Sequence, residues 1–155
     1  MIKQDVESPV RRGANFAAID VGAMSRLDSY RLQVPALNRE VRGKLFINHL
    51  LDFSGMELSM NKLPAGAGVP FYHSHRENEE AYIFLGGSGE MQIDGELIPV
   101  KEGSIVRVST KGERSLRNTS GEPLYFICVQ ARENSLNSND ISDGVKLDRT
   151  VTWPA

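Results

Sequence analysis

Between residues 43 and 131 the apolar positions fall in short runs broken by turn dipeptides. Ser54-Gly55, Asp94-Gly95, Glu102-Gly103, Lys111-Gly112 and Ser120-Gly121 each separate two such runs. Short runs at this spacing predict antiparallel strands arranged as a sandwich or barrel. The expected strands are Gly43–Leu51, Met56–Leu63, Tyr82–Leu85, Ser104–Ser109, Arg114–Asn118 and Leu124–Gln130. Asp94-Gly95 lies between Glu90-Met91-Gln92-Ile93 and Glu96-Leu97-Ile98-Pro99-Val100. Asp-Gly favours the type I′ turn of a tight hairpin, because both central residues need positive φ. Pro99 has no N–H to give to a ladder, so its strand must end there or lie at an edge. No segment of this region carries a long helical period.

The two ends read differently. Residues 1–42 hold two weak strand candidates, Phe16–Val21 and Tyr30–Val34, among polar and Gly-containing stretches. They are expected to form an arm packed outside the barrel. Arg132–Asp143 is rich in Asn, Ser and Asp and predicts a loop. Val145–Trp153 is expected to return as a short strand, with Trp153 anchoring the tail. The domain expectation is therefore one unit: an arm over 1–42, a barrel over 43–131 and a tail over 132–155.

Composition adds exclusions. The 155 residues suit one domain with its own core. Hydrophobic content of 40% and charged content of 25% are those of a globular protein. A formal net charge of −2 argues against a nucleic-acid surface, which needs a basic bias. Cys128 is the single cysteine, so no intramolecular disulfide forms, as suits a reducing compartment. The first residues carry no apolar leader, and no apolar run approaches the roughly 20 residues that span a bilayer. These features predict a cytoplasmic protein without membrane or nucleic-acid partners.

Candidate chemistry is concentrated in one place. Two of the three histidines sit in His73-Ser74-His75, followed by Glu80. On an extended strand residues i and i+2 share a face, so the imidazoles project together. A carboxylate returning after a short turn comes beside them. Two imidazoles and one carboxylate suit zinc, iron, manganese or nickel. A lone His-x-His pair is more often surface or packing, so its surroundings decide.

The spacing His-x-His, four residues, Glu80, six residues, Gly87 resembles the first motif of the cupin superfamily. The second motif is matched from Gly103 to Asn118, with Ser109 in place of the usual proline and the usual glycine one residue late, at Gly112. The wider pattern Gly55-Met56-Glu57-Leu58-Ser59-Met60-Asn61-Lys62-Leu63-Pro64-Ala65-Gly66 is similar to that of small single-domain bacterial cupins, a group to which no activity is assigned. The resemblance implies an all-β fold, the double-stranded β-helix or jelly-roll barrel. It implies a small-molecule ligand and a divalent metal on His73, His75 and Glu80. It also suggests a homodimer, in which the arms bury residues such as Phe16, Ile19 and Tyr30.

One departure matters. Where most metal-binding cupins carry a histidine in the second motif, this chain has Arg114. A guanidinium has no lone pair to donate. A metal held by His73, His75 and Glu80 would then keep open positions, with Arg114 facing a bound anion. Alternatively Arg114 pairs with Glu80 and the site is metal-free. A register shift of one residue would instead turn Glu113 inward as a ligand, and Glu79 is a reserve carboxylate. Tyr82 and Phe84 share the phase of Glu80 and are expected to line the pocket, as is Asn61. His49 reads as packing, Cys128 as an inert buried thiol, and Arg107 and Arg117 as surface charges. Both an enzyme, with metal as Lewis acid or oxygen activator, and a non-catalytic binding module fit this pattern.

Overall fold

The structure, a computed structural model, describes residues 3, 4, 6–34, 39–136 and 142–154. Eight strands build the barrel. They are β6 (Lys44–Phe46), β7 (Glu57–Leu63), β8 (Asn78–Gly86), β9 (Ser88–Ile93), β10 (Glu96–Lys101), β11 (Ile105–Val108), β12 (Arg114–Arg117) and β13 (Leu124–Arg132). Five short strands precede them: β1 (Lys3–Gln4), β2 (Arg11–Arg12), β3 (Ala17–Ala18), β4 (Arg31–Val34) and β5 (Arg39–Arg42). All pairings are antiparallel. The main sheet runs β11-β8-β13-β7-β6, and a second runs β10-β9-β12. Their inner faces share one core, in which Phe84, Leu124 and Phe126 meet Met91, Val100 and Leu116.

The hairpin at Asp94-Gly95 forms as expected. Both residues have positive φ, 50° and 88°, and Ile93 opposes Glu96. Pro99 lies inside β10, which pairs with β9 alone and is thus an edge. Gly87 turns the chain between β8 and β9 with φ of 80°, and a Cβ there would meet the Pro123 carbonyl oxygen at 2.3 Å. This explains a glycine at the end of the first motif. Asn118, at the end of the second, is buried. Its Nδ2 donates to the carbonyls of Leu63 and Glu122, and its Oδ1 accepts from the Ser120 N–H. One side chain thereby ties the exits of β7 and β12 to the entry of β13.

Alternation along the main sheet levels its inner residues into tiers. Lys44, Asn61, Phe126 and Phe84 are side by side. In the next tier come Phe46, Ser59, Cys128 and Tyr82, and beyond them Glu57, Gln130 and Glu80. The outer face of β6 and β7 carries a second core. Leu27, Leu45 and Ile47 are buried there, with Val21, Met24, Leu58 and Met60 against them.

Three expectations need correction. The strand expected over Gly43–Leu51 stops at Phe46, and Asn48–Leu51 forms a single helical turn, α1. Helical spacing lets Leu50 and Leu51 both pack on the second core, which a strand would not allow. His49 on that turn is exposed, so the core packing expected as one role for it does not occur. The tail does not return as a strand: Val145, Leu147 and Trp153 are exposed, Trp153 at 87%. The loop expected over Arg132–Asp143 lies partly outside the described residues.

Candidate metal centre and pocket

The segment 68–75 runs beside β12 and is joined to it by two isolated bridges, Gly68 with Arg117 and His73 with Arg114. Val69 N–H donates to the Leu116 carbonyl at 2.9 Å, and Arg114 N–H to the His73 carbonyl at 3.0 Å. His73 and Arg114 thus oppose each other directly. His75 N–H donates to the Thr110 carbonyl at 3.0 Å. This places the two imidazoles, ring centres 5.3 Å apart, over the first inward residue of β8, Glu80. One donor atom from each of His73, His75 and Glu80 lies within 4.8 Å of the others.

The two oxygens of Glu80 live in different surroundings. Oε2 accepts from Tyr82 Oη at 2.7 Å and from Arg114 Nε and Nη2 at 2.9 and 2.7 Å. Oε1 faces His75 Nε2 at 3.2 Å and the Cys128 thiol at 3.4 Å. Burial alone would raise the Glu80 pKa. The hydrogen bonds from Tyr82 and Arg114, with Arg114's charge, outweigh it and hold the carboxyl below its usual range. His73 is shifted down by desolvation and by the Arg114 charge, so the neutral imidazole is favoured. His73 Nδ1 and His75 Nε2 are buried without a hydrogen-bond partner. Two imidazoles, each with an unsatisfied nitrogen, gathered with a carboxylate form a donor set that a divalent cation fits.

Arg114 is wholly enclosed, and its remaining nitrogen, Nη1, donates to the Gly112 carbonyl at 2.7 Å. Its guanidinium is therefore committed to Glu80 and to backbone, and the expected contact with a bound anion has no free fork to use. The one-residue shift is also corrected: Glu113 is exposed, and its N–H accepts no inward role but donates to Asp94 Oδ1. Glu79 points outward to Arg107. Burial pushes the Cys128 thiol up to about 12, with the nearby Glu80 charge acting in the same sense, so it stays protonated and inert.

A cavity of about 390 Å³ opens over this group. His73, His75, Glu80, Tyr82, Asn61 and Arg114 all line it. Phe84 does not. It shares the phase of Tyr82 but lies one tier deeper, in the core against Phe126 at 5.6 Å. Asn61 is tied by its Nδ2 to the Ser59 carbonyl at 3.0 Å. Two contributions went unread in the sequence. Leu32 and Val41, on β4 and β5, form part of the wall, so the N-terminal segment builds the pocket rather than only lying outside the barrel. Lys44 also lines it, on the inner face of β6. Strict alternation with buried Leu45 could have revealed that lysine.

The comparisons with known proteins agree with this architecture. Residues 60–130 match the family described as Cupin domain. The crystal structure of a cupin protein from Bacteroides fragilis is 41% identical, covers 67% of this chain and 88% of its own, and superposes with a TM-score of 0.65. A protein of Thermotoga maritima, titled a predicted oxalate decarboxylase, is 26% identical over 61% of this chain and 83% of its own, with a TM-score of 0.52. An uncharacterized protein of Methanocaldococcus jannaschii is 30% identical over 78 residues, 49% of this chain. The match spans 62% of that curated relative's length.

Proposed function

The chain belongs to the cupin superfamily, and on that premise we propose that it binds a small anionic or oxygenated metabolite at a divalent-metal site of His73, His75 and Glu80. The observation that carries this reading is the gathering of one donor atom from each of His73, His75 and Glu80 within 4.8 Å of the others, with a buried nitrogen on each imidazole lacking a hydrogen-bond partner. A divalent ion such as zinc, iron, manganese or nickel would supply Lewis acidity there. The chain's own residues do the rest. Tyr82 and Arg114 fix Glu80 through Oε2 and keep it anionic, leaving Oε1 turned to His75. Outer-sphere hydrogen bonds of this kind orient a ligating carboxylate. Desolvation keeps His73 neutral, the state in which an imidazole can donate its lone pair.

A second reading has its own support. The Arg114–Glu80 pair neutralises the one carboxylate of the group, and a metal-free binding pocket follows if that pairing prevails. Elemental analysis of untagged protein, with titration of zinc, manganese, iron(II) and nickel, separates the two. Stoichiometric metal lost in His73→Ala and His75→Ala supports the centre. No uptake of any of the four leaves the metal-free reading.

We also propose a homodimer. Phe16 is half-exposed on the N-terminal segment, and Phe71, Tyr72 and Leu97 stand exposed on the barrel. A second copy is the simplest cover for such surface. A monomer mass at micromolar concentration would refute it.

A further inference from the structure

Four cationic side chains line the cavity: Arg42, Lys44, Lys62 and Arg114. Three are matched by carboxylates. Arg42 pairs with Glu40 at 3.0 Å, Lys62 with Asp28 at 2.5 Å and Arg114 with Glu80 at 2.7 Å. Lys44 has no such partner among the described residues. Its Nζ lies 4.8 Å from the centre of the Phe46 ring, an apolar neighbour on its own strand. The charges of Glu80 and Glu57 reach it without an ion-pair contact. A lysine that served only the fold would extend to water or meet a counter-ion. This one stands on the inner face, level with Asn61, in the same cavity as the histidines.

We infer that Lys44 is the anion anchor of this pocket, and that the ligand is a small carboxylate whose anionic group docks on its ammonium. The inference rests on the pocket proposed above being a ligand site, but not on a metal being bound there. Desolvation lowers the Lys44 pKa, so an anion bound beside it would restore the charge that burial disfavours. With Arg42, Lys62 and Arg114 each paired to a carboxylate, Lys44 is the cation of this cavity left without one among the described residues. A carboxylate on Lys44 would leave the rest of a small ligand to face His73, His75 and Glu80.

The test is calorimetric titration of oxalate, malonate and succinate, with malonamide as the neutral control. It is run on the full chain as purified and again after chelator treatment. At least one dicarboxylate is expected to bind wild type while malonamide does not. Loss of a charge-assisted hydrogen bond in Lys44→Met should weaken that binding by about tenfold to a hundredfold. Lys44→Arg should retain most of it, and Lys44→Met should still take up metal, no more weakly than wild type. Equal binding by wild type and Lys44→Met overturns the inference, as does failure of all three dicarboxylates to bind wild type. If no metal is found but dicarboxylate binding still depends on Lys44, the metal reading fails and the anchor stands. If metal is bound but dicarboxylate binding ignores Lys44, the anchor fails and the metal reading stands.

Discussion

Arg114 and Glu80 form an ion pair sealed from solvent, Nη2 to Oε2 at 2.7 Å, with side-chain exposures of 1% and 3%. Desolvating both charges costs as much as their attraction returns, so the pair adds little net stability. Removing one partner is another matter, because the other is left charged and unmatched.

Arg114→Met is therefore expected to destabilise the metal-free protein by about 3–5 kcal/mol. For a domain of this size that is a fall in Tm of the order of 10 °C. Glu80→Leu combined with Arg114→Met should recover most of the loss, since no buried charge remains. Urea unfolding of the two single variants and the double variant checks this. Additive losses would show that the two side chains are not coupled.

The N-terminal segment is expected to be part of the folded unit. Leu27 is fully buried against Leu45 and Ile47 on the outer face of β6 and β7. Leu27→Ala should cost about 2–5 kcal/mol, the usual price of a core leucine. Chemical denaturation measures it. A loss below about 0.5 kcal/mol, typical of surface changes, would mean that the segment only rests on the barrel.

Stability of the metal-free protein should rise with pH across the acid range. His73 has a folded pKa below its ordinary 6.5, because of desolvation and Arg114. The unfolded chain then binds a proton that the folded one resists. This contribution is fully present above pH 6.5 and is lost as pH falls through the lowered value. Glu80 behaves likewise below its ordinary 4.5, where burial is outweighed by Tyr82 and Arg114. Urea midpoints against pH should descend in two stages. His73→Asn should flatten the first and Glu80→Gln the second. A curve with no change on His73→Asn would refute the assignment.

Much of this was legible from residues alone, for local reasons. Asp94-Gly95 dictates its hairpin because both positions need positive φ, and Pro99 dictates an edge because it lacks a donor. Period-two alternation puts His73 and His75 on one face, and the resemblance to the cupin motif is what adds Glu80 and makes a site of them. What the sequence hid depends on tertiary choice. Leu27 sits in a polar stretch, Met24–Ser29, whose 3₁₀ turn aims it at a distant sheet. Trp153 is apolar enough to suggest an anchor, yet it is exposed. Phe84 and Tyr82 have identical phase, and only depth along the strand separates core from cavity. For Arg114 the sequence left two alternatives, an anion contact or a pair with Glu80, and the fold shows the pair.

That pairing sets the sign of the last prediction. Arg114→His should tighten metal binding while lowering the stability of the metal-free protein. The guanidinium now opposes a divalent ion electrostatically and occupies Glu80 Oε2. At an effective dielectric of about 20, a like charge a few ångströms from a cation costs several kcal/mol. An imidazole at the same inward position carries no obligatory charge and brings a lone pair. Without Arg114, Glu80 loses its main partner, so the variant without metal should unfold earlier than wild type. Metal should then raise its Tm more than it raises that of wild type, because binding free energy adds to folding free energy. Paired thermal melts with chelator and with zinc measure both effects. An unchanged zinc response in Arg114→His would show that the Arg114 charge does not limit affinity, and that the open coordination position is elsewhere.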